Sequence, residues 1–472
     1  MKLATGAILV TSLLTGSVAQ AQEVPANKVE ASTVDAFVQD LMKKRHIPGV
    51  SVAVVKDGKI LLAKGYGLAN VELDVPATET TVYQLASVTK TFTATAIMML
   101  VKEGKISLED KITERLPDLP AAWVKVTVRN LLSHTSGIKS YTSVKDFGKT
   151  MRKDYTQREI IDLVAKEPLE FPPGEKWNYS NTGYFLLGML IEKVSDKTYG
   201  EFMAERIFKP LGMTHTRVNE LRAIIPNRAQ GYEWNGKELK NGEYVSPTQP
   251  FAAGMLVSSV SDLVKWDESL SKNTLLDEAD LKQMWTPTRL SKGEAGYGFG
   301  WSTAKANGHR LVSHGGGIPG FSTELSRFLD DKLTVIVLTN ADGGHAGAVA
   351  RGIAGRYIAA LAEKAEEPIT DTDATTTESL RGMLSGALKG ELDASLFTED
   401  AKKMLVPRIN EDKERLASFG ALKSFQLLER KETDGGLRLR YRATCEQQKL
   451  RVSFALDKAG KIQGVGLQTD GD

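Results

Sequence analysis

The sequence predicts an α+β fold: one antiparallel sheet built from the two ends of a large domain, with a mostly helical lobe inserted between them. Two observations predict it. A helix followed by a β-hairpin opens the chain, and a hairpin followed by a helix closes the domain near residue 361. A third observation, four strand-like runs beyond residue 420, predicts a separate small α+β unit at the C-terminal end.

Residues 1–21 read as a secretory signal peptide. Lys2 gives a thin positive start, Ala7–Val18 an apolar stretch and Ala19-Gln20-Ala21 a cleavage site of the A-x-A type. Thr, Ser and Gly interrupt that stretch, which is too short to span a bilayer. No cysteine follows it to carry a lipid, so no stable membrane anchor is expected after cleavage. Val34–Arg45 then has helical periodicity and stops before His46-Ile47-Pro48-Gly49. Val50–Val55 and Ile60–Tyr66 flank Lys56-Asp57-Gly58-Lys59, whose Asp-Gly pair is a strong hairpin signal.

The middle of the chain reads as mostly helical. Tyr297, Phe299 and Trp301 alternate like a core strand, and Arg310–Ser313 is a short β-like run. Ser322–Phe328 and Leu333–Asn340 flank Asp330-Asp331-Lys332 as a second hairpin, before a helix over His345–Leu361. Glu363–Thr376 is polar, charged and rich in threonine, which reads as a linker. The expected domains are therefore 22–365 and 379–472, joined by a linker at 366–378. In the tail, Leu380–Leu388 and Asp412–Phe419 read as helices. Phe425–Arg430, Leu437–Thr444, Leu450–Leu456 and Ile462–Leu467 read as strands.

Bulk properties narrow the function. With 61 basic and 59 acidic residues the net charge is +2, so no global field points to nucleic acid. Cys445 is the single cysteine, which excludes an internal disulfide and a paired-thiolate metal site and leaves it as a strand core residue. His46, His215, His309 and His345 share no metal-ligand spacing. No metal or organic cofactor is expected.

Three segments carry chemistry. Ser87-Val88-Thr89-Lys90 opens the apolar run Thr91–Val101. Residues i and i+3 of a helix lie on one face about 5–6 Å apart, so hydroxyl and amine can touch with no loop to bring them together. A serine is a weak nucleophile until a base takes its proton, and a lysine serves only when its environment lowers its pKa. By itself S-x-x-K also occurs in ordinary solvated helices. Tyr179-Ser180-Asn181 adds a phenol two residues from a carboxamide, behind the Pro173-Gly174 turn. That offers a second proton relay and an amide to orient a substrate carbonyl. His314-Gly315-Gly316-Gly317 adds glycines that let a substrate approach the backbone.

In this order the three segments resemble those of the serine β-lactamase and penicillin-binding-protein superfamily. The Y-x-N and H-G-G variants are most similar to the class C β-lactamase, D-alanyl-D-alanine carboxypeptidase and esterase branch. Leu131-Leu132-Ser133-His134-Thr135-Ser136-Gly137, Trp177–Gly188, Pro210-Leu211-Gly212-Met213 and Ala252-Ala253-Gly254 with Ser258-Ser259 add to the likeness, which covers roughly residues 29 to 365. The resemblance implies the β-lactamase/transpeptidase-like fold with its site between the lobes. It implies a serine hydrolase in which Ser87 forms an acyl-enzyme and Lys90 and Tyr179 move its proton, either being the base. It places Asn181, His314, Gly316 and Gly317 in substrate binding and oxyanion support, the hole itself being the N–H groups of Ser87 and Gly317. His134 reads as a loop lock rather than a reactant, and Tyr141 as lying near the cleft.

The third segment departs from the Lys-Thr-Gly of lactamases and carboxypeptidases. A histidine can be neutral at pH 7, and Gly315 offers no hydroxyl, so grip on a substrate carboxylate weakens. The expected substrates are small esters, amides or peptides. A β-lactamase, D,D-carboxypeptidase or D-aminopeptidase, or a binding module without turnover, is the alternative. A bacterial periplasmic or secreted location is expected. No nucleic acid partner is expected, and no partner of the tail is readable.

Overall fold

The computed structural model describes residues 31–220, 222–362 and 366–469; the expected signal peptide lies outside them. The two ends of the large domain meet in one sheet, as the terminal hairpins predict. Helix α1 (Ala31–Arg45) leads into β1 (Gly49–Lys56), β2 (Lys59–Asn70) and the short β3 (Val75–Pro76). The closing strands are β4 (Ser302–Ala306), β5 (His309–Ile318), β6 (Phe321–Phe328) and β7 (Leu333–Thr339). They assemble antiparallel in the order β4-β5-β6-β7-β1-β2-β3, with Val50 opposite Thr339 and Val54 opposite Val335.

Every residue of β7 is buried, because helices cover both faces of the sheet centre. Side chains alternate between faces along a strand. Val50, Val52, Val54, Val335 and Val337 face α1 and α6 (Ala346–Tyr357), packing on Val34, Val38, Val349 and Ile353. Ala53, Val55, Ile336 and Leu338 face the helical lobe. Its centre is α2 (Thr89–Lys102), buried on nearly all sides, with the hydroxyls of its buried Thr91, Thr93 and Thr95 donating to backbone carbonyl oxygens. Around it lie α3 (Val128–Leu132), α4 (Asn181–Ser195) and α5 (Val260–Ser271), whose Trp266 stacks on Phe92 of α2 at 4.2 Å.

Two sequence expectations change here. Tyr297, Phe299 and Trp301 are buried, but they lie in a looped segment joined to β4 only through a bridge between Tyr297 and Ser302. Their alternation reflects loop packing, not a strand. The glycines after His314, in contrast, remain inside the ten-residue strand β5.

The tail has its own core, made by Leu380, Leu384, Leu388, Tyr441, Val452 and Phe454 among others, with Cys445 buried in it. Helix α7 (Ala374–Lys389) begins inside the expected linker of 366–378: the Asp373 carboxylate caps it by accepting from the Thr376 N–H at 3.1 Å. Thr375–Thr377, read as linker, is its first turn. A helix α8 (Glu399–Glu411) with Pro407 inside it was not expected, and α9 (Lys413–Ala417) follows. A four-stranded meander closes the unit: β8 (Leu422–Thr433), β9 (Gly436–Cys445), β10 (Lys449–Leu456) and β11 (Ile462–Thr469). Glu366 pairs with Arg440 at 2.7 Å and the Ile369 N–H donates to Leu427 O, so the end of the connector belongs with the tail. The two cores share no residue. Truncation after residue 366 should therefore leave a folded protein that turns over small substrates. Complete loss of turnover in a truncation with native circular dichroism would contradict this.

Candidate active site

Ser87 sits where a strand hands over to α2. Tyr83 and Gln84 pair with Ser258 and Val257, the chain turns at Ala86 with φ 46°, and one 3₁₀ turn, Ala86–Val88, carries Ser87 into the helix. A non-glycine residue in the left-handed region is held there by its surroundings. The Thr323 hydroxyl does part of this, donating to Leu85 O at 2.8 Å. Ser87 thus stands two residues before α2 rather than in its first turn. The i,i+3 relation survives, because Val88 and Thr89 already have right-handed helical angles.

Lys90 is 0% exposed. Its Nζ lies 3.1 Å from Ser87 Oγ, 2.9 Å from Asn181 Oδ1 and 2.8 Å from the Ala253 carbonyl oxygen. The rings of Tyr179 and Tyr184 face it at 4.9 and 5.5 Å. Burial drives its pKa well below the ordinary lysine value. Asn181, the first residue of α4, donates from Nδ2 to Thr142 Oγ1 at 3.2 Å, which fixes the amide with Oδ1 towards Lys90. Burial raises the Tyr179 phenol above its usual value, against the pull of a hydrogen bond to Ser87.

The Tyr179 loop is tied down from behind. His134, past the end of α3 with φ 57°, accepts the Asn178 N–H on its carbonyl (3.0 Å) and the Ser180 N–H on Nδ1 (3.1 Å). Its ring lies 4.2 Å from that of Tyr179. Burial, with Lys90 nearby, pushes the His134 pKa well down, so the imidazole stays neutral. The histidine locks a loop, as expected.

Hydroxyl, buried amine, phenol and carboxamide converge here from two segments some 90 residues apart. The family profile described as Beta-lactamase matches residues 34–360, which hold all of them. The chain belongs to the Beta-lactamase family. It is 34% identical over 320 residues to the protein named penicillin-binding protein 4* of Bacillus subtilis, a match covering 64% of this chain and 70% of that one. The fold is similar to an octameric penicillin-binding protein homologue from Pyrococcus abyssi, with TM-score 0.63 and 26% identity. That likeness covers 92% of this chain, and so extends into the tail, and 95% of the other. It is also similar to D-amino acid amidase from Ochrobactrum anthropi, with TM-score 0.61 and 27% identity over 70% of this chain and 98% of that one. Members of the Beta-lactamase family are serine hydrolases, and this chain is an enzyme of that kind.

The third segment differs from its expected use. His314 does not line the cleft. It is 4% exposed, with Nε2 2.9 Å from the Tyr297 hydroxyl and Nδ1 2.7 Å from the Gly315 carbonyl oxygen. Both ring nitrogens are engaged within the protein, so the side chain offers nothing to a substrate. Gly316 and Gly317 lie beside the Ser87 turn. A Cβ on Gly316 would lie 2.2 Å from Leu85 O and 3.1 Å from Ser87 N, so β5 passes directly against the serine turn. Gly317 meets open space and lines the cleft with Ser87.

That cleft encloses about 180 Å³. Beyond Ser87, Asn181, Thr142 and Gln249, its walls are mainly apolar, with Tyr141, Phe147, Met151, Pro250 and Ile318 the largest, and no charged side chain lines it among the described residues. Tyr141 belongs to it by its ring, since its hydroxyl donates to Gln249 O at 2.7 Å. Sequence reasoning missed Phe147, Met151 and Ile318, and gave Ala253 no role although Ala252-Ala253-Gly254 carried part of the likeness. Tyr141, read as lying near the cleft, was the one available signal for the wall.

Proposed function

We propose that the protein hydrolyses uncharged esters and small amides or peptides through an acyl-enzyme on Ser87, with Lys90 as the base. The environment of Lys90 carries this reading. A neutral amine has two N–H donors and one lone pair. Two of the three oxygens around Nζ, Asn181 Oδ1 and Ala253 O, are carbonyls that only accept. The lone pair is then left for the Ser87 hydroxyl. No acidic group is among the causes of the pKa shift, so no carboxylate pairs with a buried ammonium here.

Ser87 Oγ attacks the substrate carbonyl carbon while its proton passes to Lys90. The Ser87 and Gly317 N–H groups receive the oxyanion. As the C–N or C–O bond breaks, Lys90 returns the proton to the leaving group, with the Tyr179 phenol, protonated at neutral pH, as relay. Water then attacks the acyl-enzyme with Lys90 again taking a proton, and Ser87 is restored. Tyr179 as the primary base would need its phenolate, which burial opposes.

The uncharged walls of the cleft favour an uncharged, apolar acyl group, and the likeness to an amidase favours small amides beside esters. A substrate held by its carboxylate lacks a charge-assisted hydrogen bond here, about 1.5–3 kcal/mol, or roughly 10- to 150-fold in kcat/KM. Butyryl esters should therefore exceed succinyl esters of the same alcohol by that factor, and chromogenic esters should exceed chromogenic cephalosporins. Equal rates would contradict the assignment of the cleft. The acyl-enzyme is tested with a fluorophosphonate probe. Wild type should be labelled on Ser87 and Ser87→Ala should not, and labelling of both alike would remove the nucleophile assigned here. We also propose export, on the pattern of residues 1–21. Among the described residues, no helix is long and apolar enough to cross a membrane.

A further inference from the structure

Tyr297 and His314 form a buried pair that the reaction leaves unused. The tautomer follows from the partners. The Gly315 carbonyl oxygen, 2.7 Å from Nδ1, can only accept, so Nδ1 carries the proton. Nε2 must then accept from the Tyr297 hydroxyl at 2.9 Å. Burial, with Lys90 nearby, pushes the His314 pKa down to about 3, so the neutral ring persists through the working range.

The strand explains why such a clamp is needed. On one edge of β5, β4 pairs only with His309–Ser313. From His314 onward that edge has no neighbouring strand among the described residues, and the chain there is three glycines, the residues with the greatest backbone freedom. Yet this stretch runs against Leu85 and Ser87 with no room for a Cβ at Gly316. β6 holds the other edge, with Gly315 opposite Glu324 and Gly317 opposite Ser322, so the open edge is where the glycines need a second hold to keep the Gly317 amide placed relative to Ser87.

We propose that His314 is a positioning residue: a neutral strut, held in one tautomer by Tyr297, that fixes the Gly315 peptide and through it the Gly317 N–H facing Ser87. It rests on the reading of Ser87 as nucleophile, and replaces the direct part in substrate binding expected of His314 from the sequence. Tyr297, 5.8 Å away ring to ring, thereby gains a part in the reaction that its place among core aromatics concealed.

The test uses the full chain with His314→Ala, His314→Gln, Tyr297→Phe and the Ala/Phe double variant, assayed on matched butyryl and succinyl esters. His314→Ala should lower kcat by about 10–100-fold, somewhat less than loss of a whole oxyanion donor, equally on both esters and with KM within about twofold. Gln, which can both donate and accept, should recover most of the rate. Tyr297→Phe should fall in the same direction, and the double variant should be no worse than His314→Ala, since both act through one chain of bonds. The groups facing the imidazole are Lys90, His134, Tyr179 and Tyr297. The acid limb of the pH profile, assigned to Lys90, should be the same with and without His314.

A loss confined to the succinyl ester and expressed in KM, a changed acid limb, or a wild-type rate for Tyr297→Phe would overturn the proposal. If His314→Ala does not fold, the Gln and Phe variants decide it. Fluorophosphonate labelling of the wild type separates the two levels: an unlabelled wild type removes the acyl-enzyme itself, whereas a labelled one with any of the contrary results removes only the strut.

Discussion

Lys90→Met should lower the rate of Ser87 acylation by roughly 10²–10⁴-fold, the range for loss of a positioned general base. It should do so without weakening the protein at pH 7. The two effects have one cause. The folded pKa of Lys90 is depressed below the ordinary 10.5. Between the depressed value and 10.5 the unfolded chain therefore holds a proton that the folded chain does not, and stability rises with pH across that window. At pH 7 the wild type lacks part of the stability it has at pH 11, and an apolar side chain of similar length removes that deficit. Against it stand the carbonyls of Asn181 and Ala253, which lose a donor, so a thermal midpoint equal to or above the wild type's is the expected net result. Rapid-quench acylation and thermal unfolding on the same sample check both. A fall in midpoint of many degrees with acylation retained would reverse the assignment.

Gly316→Ala should be nearly as damaging, and for a purely steric reason. The new methyl would meet Leu85 O at 2.2 Å, Thr323 Oγ1 at 2.3 Å and Ser87 N at 3.1 Å. The first two contacts are closer than real Cβ atoms come, so either β5 or the Ser87 turn must move. That turn is already strained at Ala86 and pinned by Thr323. Displacement separates the two amides proposed to receive the oxyanion, and removal of one such donor costs about 10²–10³-fold in kcat. Gly317→Ala is the control, since a Cβ there meets nothing within 4 Å of backbone or side chain. Its effect should appear in KM through the cleft. Equal kcat losses in the two variants would show that the close approach at Gly316 is not what matters.

What could be read from the residues was local. Ser87 and Lys90 are three apart, Tyr179 and Asn181 two apart, and the Asp57-Gly58 and Asp330–Lys332 turns lie inside their own hairpins. Each was visible because its partners are near in sequence. The contacts that give those residues their properties are long-range. The Ala253 carbonyl that takes an N–H from Lys90 is 163 residues away. The Tyr297 hydroxyl that fixes His314 looked like one member of an alternating core strand, and no periodicity connects Phe147, Met151 and Ile318. His314 was misplaced for a similar reason: its position after a β-like run said nothing of which face of the strand it would occupy. In the tail, the threonines before Leu380 read as linker because composition hides a cap such as Asp373, and Pro407 concealed α8.

The whole scheme depends on a neutral amine beside Ser87, and the pH dependence of the single-turnover acylation rate measures that amine. For wild type the rate should rise through an acid limb lying well below lysine's ordinary 10.5 and then stay level to pH 10. In Lys90→Met the limb should vanish, leaving a slow, nearly flat rate. A limb near 10, or one that survives unchanged without Lys90, would mean that another group takes the serine proton.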